Sequence, residues 1–327
     1  LDDLTPFREF STQVQQSFAT LFPVKKAYRF QSKNGIHSER SFITGENPRY
    51  GASINYYIKD KIKDTAFILI LDEKGKEIRK IKGTNEPGVN RVWWNLSYEE
   101  LEMPSLRTRP RGKDWVPLDA VGKRAMYIYD LDIGPGLVPP LAPPGIYTVV
   151  LKISDKTFTQ KLEVIKDPNT KGTIEDIQKQ HDLAMNLYGK IKTCFQLIDE
   201  METIRAKLLY MADSSSVSNS KKIKARKIEN DLWLLEGKVH DIYQTGARQD
   251  VFRNPNQLLE QFLAISKEAV VSSADAPPTS QDYQVYDQLS ERLGKVQKDY
   301  STVRKSLTPL NKDIQMKSKV ENLQNKN

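Results

Sequence analysis

The apolar residues of this chain change their spacing once, near residue 170, and that change limits the fold more than any other feature. Upstream they come in short, strand-like runs punctuated by Gly and Pro; downstream they recur every three or four residues almost to the end. Most of the 17 prolines also lie upstream, where turns and sheet edges tolerate a fixed φ and a missing N–H. A chain of 327 residues exceeds what one hydrophobic core serves. The sequence therefore predicts an α+β protein with separate domains: an immunoglobulin-like antiparallel β-sandwich followed by an antiparallel helical bundle.

Residues 1–44 read as a lead-in segment. Phe7, Phe10, Val14, Phe18, Leu21 and Phe22 suggest a short amphipathic helix stopped by Pro23, and 31–46 a polar loop. The sandwich is expected over 45–168. Its predicted strands are Gly51–Ile58, Ala66–Leu71, Glu77–Lys82, Val89–Leu96, Gly145–Ser154 and Thr157–Ile165, with Asp72-Glu73-Lys74-Gly75 as a hairpin turn. Short strands separated by turn signals are the pattern of a sandwich. An irregular insertion at 97–143 interrupts them, and a connection of that length either carries function or packs on another domain.

The bundle is expected over 171–311, with a frayed polar tail at 312–327. Thr173 and Asp176 look like the start of its first helix. Ile177, Ala184, Leu187, Ile191, Cys194, Ile198, Met201 and Leu208 form one apolar face, broken by the Ser-rich stretch 213–220. Further helices are predicted at about 221–245 and 255–271. The last carries Tyr286, Leu289, Leu293, Val296, Tyr300, Val303 and Leu307 in alternating steps of three and four.

Composition removes several functions. The excess of basic over acidic residues, 50 − 42 = +8, is spread along the chain and lacks the concentrated basic stripe of a nucleic-acid binder. The longest apolar run, Ala66–Leu71, is far short of the ~20 residues of a membrane span. A single cysteine, Cys194, excludes an internal disulfide and reads as a small buried hydrophobe. His37, His181 and His240 share no metal-binding pattern. No metal or other cofactor is expected.

The best candidate for contact with a ligand or partner is the basic loop Arg107, Arg109, Arg111 and Lys113 with Trp115. Alternating cations beside an aromatic can grip a phosphate, a carboxylate or a sugar ring. The same pattern suits a solvated loop, or one docked on a neighbouring domain. Glu99, Glu100 and Glu102 near Trp115 have the composition of a sugar site and equally of a strand end. Gly134-Pro135-Gly136 is no phosphate loop, because Pro offers no N–H to an anion.

Several ordered motifs carry a resemblance. They are Leu1-Asp2-Asp3-Leu4-Thr5-Pro6-Phe7, Leu21-Phe22-Pro23, Ala27-Tyr28-Arg29, Gly45-Glu46-Asn47-Pro48, Gly51-Ala52 and Tyr56-Tyr57, then Glu86-Pro87-Gly88-Val89-Asn90-Arg91-Val92-Trp93-Trp94-Asn95-Leu96 and Leu141-Ala142-Pro143-Pro144-Gly145-Ile146-Tyr147-Thr148-Val149. Asp250-Val251-Phe252-Arg253-Asn254-Pro255 and Ala274-Asp275-Ala276-Pro277-Pro278-Thr279-Ser280-Gln281 follow, with Leu310-Asn311. In this order they resemble the C-terminal region of large bacterial sortilin-like (vacuolar-protein-sorting-ten-like) proteins with bacterial neuraminidase repeats, often labelled glycosyl hydrolases. Asn95 stands where that family usually has Asp.

The resemblance implies an immunoglobulin-like domain and a helical tail following β-propellers, in an exported, extracytoplasmic bacterial protein. It also implies that any hydrolase site lies in the propellers. The expected function is a non-catalytic accessory or interaction region, with upstream propellers or other envelope proteins as partners. The alternatives are a carbohydrate-binding or glycoside-hydrolase-associated protein, and a subunit of a secretion or surface complex.

Overall fold

The computed structural model describes residues 3–31, 49–128, 134–271 and 274–310. The chain opens with α1 (Thr5–Glu9), α2 (Thr12–Gln16), β1 (Ala19–Leu21) and β2 (Ala27–Arg29). Strands β3 (Ala52–Ile58), β4 (Phe67–Leu71), β5 (Glu77–Lys82) and β6 (Gly88–Trp94) follow, then two short strands, β7 (Ser105–Leu106) and β8 (Arg124–Ala125). Next come β9 (Gly145–Ile153) and β10 (Lys156–Lys166). Helices α3 (Ile174–Asp213), α4 (Asn219–Glu236), α5 (Leu258–Ser266) and α6 (Ser280–Lys305) complete the order. No described helix is long and apolar enough to cross a membrane.

The chain divides into two units. The first takes Leu1–Glu100, Pro139–Ala184 and Ser272–Pro278; the second takes Leu101–Val138, Met185–Val271 and Thr279–Asn327. In the first, β1-β3-β6 form an antiparallel sheet, and β2-β10-β9-β4-β5 form a five-stranded one. β2 runs parallel to β10, with Ala27 beside Val164, while the other neighbours are antiparallel.

That parallel pair corrects the expected immunoglobulin-like sandwich: the sheet is mixed and curls as a half-barrel. The lead-in segment makes the difference. Its phenylalanines have helical spacing, yet Phe7 is 70% exposed and Phe10 and Phe18 are 38% and 39% exposed, so they form no buried helix face. The segment instead makes two short helices and the strands β1 and β2, which join the two sheets. The two units interleave along the chain. The first turns of α3 belong to the mixed-sheet unit, whereas 101–138 belongs to the helical one.

Alternation buries Ile54, Tyr56 and Ile58 from β3, Ile68 and Ile70 from β4, and Tyr147, Val149, Leu151 and Ile153 from β9 in one core. Of the adjacent tryptophans, Trp94 points inward. It is fully buried, its Nε1 donates to the Ser97 carbonyl at 2.8 Å, and its ring meets Tyr147 edge-on at 5.3 Å. Gly51 has φ +110°, and a Cβ there would lie 2.1 Å from the Trp94 carbonyl oxygen, so only glycine fits. The β5 edge is covered rather than left open: the Glu99 carboxylate accepts the Lys80 N–H, and the Glu99 N–H donates to the Ile78 carbonyl.

The helices begin where capping residues predict. Thr173 and Asp176 hydrogen-bond each other's backbone N–H ahead of α3, and Thr279 and Asp282 do the same for α6. α6 buries Leu289, Leu293, Val296 and Tyr300 along the predicted stripe. α4 ends at Glu236, earlier than its periodicity suggests, and Gly237 opens the connection to α5. His37, the motif at 45–48 and the tail 312–327 lie outside the described residues.

Candidate functional site

The chemistry-bearing residues of the helical unit meet in its interior. α3 puts Glu202 and Arg205, three residues apart, on one face. α4 puts Glu229 and Glu236, seven apart, beside its buried Ile228, Leu232 and Leu235. His240 lies one turn further on, and Glu260 starts α5. All six side chains are buried. Arg205 Nη1 donates to Glu202 Oε1 at 2.8 Å and to Glu236 Oε2 at 2.9 Å, and its Nε donates to Glu229 Oε1 at 3.1 Å. Glu236 uses its other oxygen to accept from His240 Nε2 at 2.9 Å. His240 Nδ1 has no partner among the described residues.

The predicted basic loop is the other wall of this cluster. The backbone N–H groups of Arg107 and Thr108 and the Thr108 hydroxyl all donate to the Glu202 carboxylate. The Arg107 guanidinium binds Asp199 at 2.8 Å. Arg109 Nε donates to the Val116 carbonyl and shapes the loop itself. Arg111 binds Glu229 at 2.7 Å and Asn230 at 2.9 Å, and lies 4.0 Å above the Trp233 ring. Lys113 Nζ donates to the Tyr243 carbonyl. Trp115 is 71% exposed. Arg124 adds donations to the Thr108 and Gln244 carbonyls.

Burial and charge set the protonation of the cluster. Burial raises the Glu202 carboxyl above its ordinary value, and the nearby Glu236 adds to this against the pull of Arg205. Burial also raises Glu260, outweighing His240 and the backbone N–H groups it accepts. Burial opposes ionisation of Glu236 too, but the His240 hydrogen bond and the Arg205 charge overcome it and hold that carboxyl low. Burial disfavours an imidazolium at His240, yet Glu236, with Glu260 and Glu202 behind it, raises the ring above its ordinary value. Arg205, flanked by Glu236 and Glu202, stays charged despite burial.

Other candidates are occupied elsewhere. Burial pushes the Cys194 thiol up to about 12, leaving no thiolate for chemistry. In the mixed-sheet unit, Glu99 and Glu100 pair with Arg79. His181 sits between the Leu141 carbonyl at 3.1 Å and the Tyr98 hydroxyl at 3.3 Å, and burial lowers its pKa. A surface cleft of about 420 Å³ in this unit is lined by Asp64, Phe67, Glu77, Lys80, Lys152 and Ser154. Lys80 covers the Phe67 ring at 4.2 Å, and Asp64 is bonded by Ser154. Gly136 touches α5 closely: a Cβ there would lie 2.1 Å from the Leu263 carbonyl oxygen. The described residues contain no His, Cys, Asp and Glu grouping able to hold a metal.

Sequence reading missed Glu202, Arg205, Glu229, Glu236 and Glu260. A signal was present: Glu229, Glu236 and His240 recur at seven and four, each one position after an apolar residue of the same helical stripe (Ile228, Leu235 and Val239). Charges at that spacing sit on the margin of a buried face, where they need partners. Comparison of the chain with protein-family models, curated proteins and solved structures gives no match.

Proposed function

We propose that this chain is a non-catalytic accessory and interaction region of a larger exported bacterial protein, supporting propeller domains or a cell-envelope assembly outside the cytoplasm. One observation carries the non-catalytic part. Apart from His240 Nδ1, the acids and bases brought together in the helical unit spend their hydrogen bonds on one another and on backbone N–H groups at 107 and 108 and, for Glu260, at 241 and 257, and they are buried. A general acid or base must reach a proton on substrate, and a carboxylate already holding two or three donors from its own chain is arranged to hold the fold. The link to propellers and export rests on the ordered motifs described under the sequence.

Two measurements test this reading. The protein isolated from its native source, analysed by intact mass and N-terminal peptide mapping, is expected to extend upstream of Leu1 and to fractionate outside the cytoplasm. A native chain beginning at Leu1 in the cytosol contradicts it. Hydrolysis of nitrophenyl glycosides, including a sialoside, is expected to stay at the buffer rate. Turnover that Glu202→Gln or Glu236→Gln abolishes, in a variant still folded by circular dichroism, contradicts the non-catalytic assignment.

The exposed Trp115 favours a second reading, a glycan-contacting surface. On that reading, glycan-array binding is lost in Trp115→Ala; binding that survives the substitution removes it.

A further inference from the structure

The connection between α4 and α5, residues 237–257, has only a 3-10 turn at Arg248–Phe252 as regular structure, and interior charges tie it down. His240 lies on it, with its ring 1% exposed. The Asp241 N–H donates to Glu260 Oε1 at 3.3 Å and the Gln257 N–H to Glu260 Oε2 at 2.9 Å, so one carboxylate holds both ends. Asp241 in turn accepts from Asn254 at 2.9 Å.

The charged groups facing His240 come from every surrounding element. Glu202 on α3, Glu236 on α4 and Glu260 on α5 act on the ring directly, while Arg205 on α3, bonded to Glu202, Glu229 and Glu236, and Arg124 of β8 act on those carboxylates, and Asp241 adjoins the ring in sequence. The carboxylates of Glu202, Glu229, Glu236 and Glu260 are buried, and among the described residues of this unit Arg205 is the guanidinium buried with them. An imidazolium at position 240 adds to the counter-charge that Arg205, Arg111 and Arg124 supply. Nδ1 has no hydrogen-bond partner among the described residues, so in the imidazolium the surrounding carboxylates must outweigh one unsatisfied N–H.

We propose that His240 is a proton-operated clamp on the 237–257 connection. As imidazolium it grips Glu236 and balances Glu260, and the connection is closed. As neutral imidazole it leaves the Glu260 carboxylate uncompensated, and the connection opens. The direction agrees with the raised pKa of the ring, produced by Glu236 with Glu260 and Glu202 against the cost of burial. A group raised on folding stabilises fully below its unfolded value and loses that contribution as pH rises through its folded value. Closure is therefore complete below about 6.5 and declines above it as pH rises through the ring's raised value.

Hydrogen exchange of the whole chain between pH 5.5 and 8.5, corrected for the intrinsic rate, tests this. Opening of peptides covering 237–257 is expected to rise by up to about tenfold per pH unit above about 6.5, and more steeply than that of α6 peptides. In His240→Gln the same peptides are expected to exchange fast at every pH. An unchanged pH dependence in that variant, or none in the wild type, overturns the proposal. Should the variant not fold, the imidazole proton signals of the wild type decide, assigned with His37→Gln and His181→Gln. Titration of His240 above about 6.5 is expected, and titration at or below that value overturns the clamp.

Discussion

Thr108 and Glu202 are joined twice: the Thr108 N–H donates to Oε2 at 2.7 Å and its hydroxyl to Oε1 at 2.6 Å. One short segment of an irregular loop thereby becomes the outer wall of a buried charge cluster. The backbone N–H groups at 107 and 108 have their partner in a side chain nearly a hundred residues later in sequence, as buried polar groups require.

Removing that partner is costly. Glu202→Ala leaves two backbone N–H groups, the Thr108 hydroxyl and part of the Arg205 guanidinium unpaired. A loss of about 3–5 kcal/mol is expected in urea unfolding. Thr108→Val removes only the hydroxyl bond and is expected to cost about 1–2 kcal/mol. A Glu202→Ala protein as stable as the wild type would show that the carboxylate does not hold the loop.

Gly51 makes a second, independent prediction in the mixed-sheet unit. Gly51→Ala combines a positive φ with a Cβ driven into the Trp94 carbonyl. A loss of more than about 2 kcal/mol is expected, because neither strain can be relieved without moving β6. Trp94→Ala, which empties a fully buried site, is expected to cost about 3–5 kcal/mol. Denaturant midpoints check both.

Acid and base act on the two units in opposite directions. In the mixed-sheet unit, His181 is held neutral by burial. Its contribution is present above the unfolded value near 6.5 and is lost as pH falls toward its lowered folded value. In the helical unit, Glu202, Glu260 and His240 are all raised. Their contribution is present at lower pH and is lost as pH rises through their folded values. Between pH 7.5 and 5.5 the mixed-sheet unit is expected to weaken and the helical unit to strengthen. Unfolding followed by fluorescence distinguishes them, with Trp115→Phe/Trp233→Phe leaving reporters in the first unit and Trp93→Phe/Trp94→Phe in the second. Parallel trends in both units contradict the assignment.

Much of the secondary structure was legible because period and punctuation are local. The strands from β3 to β6, β9 and β10 fall within a residue or two of their predicted limits, and α3 and α6 begin at their capping pairs. β1 and β2, at three residues each, are too short to show a period. The parallel pairing of Ala27 with Val164 joins segments whose sequences carry no mark of each other. It is this pairing that defeats the sandwich. The basic loop was visible as a run of charge, while the acids it meets within the chain, Asp199, Glu202 and Glu229, lay hidden in a helical pattern read only for its apolar residues. Charge beside an apolar stripe is informative when an oppositely charged loop of similar length occurs elsewhere in the chain.

The central claim is that the buried carboxylates of the helical unit are held by donors of their own chain. Arg205→Met tests it most directly, since that one guanidinium serves Glu202, Glu229 and Glu236. The measurement is the urea-unfolding free energy at pH 7.5, followed by Trp233 fluorescence. The account predicts a loss of about 3–5 kcal/mol, because three buried carboxylates lose their shared guanidinium and Glu202 keeps only the hydrogen bonds from residues 107 and 108. Stability equal to the wild type would contradict it, since the carboxylates would then have to be reachable by solvent and free to serve a ligand.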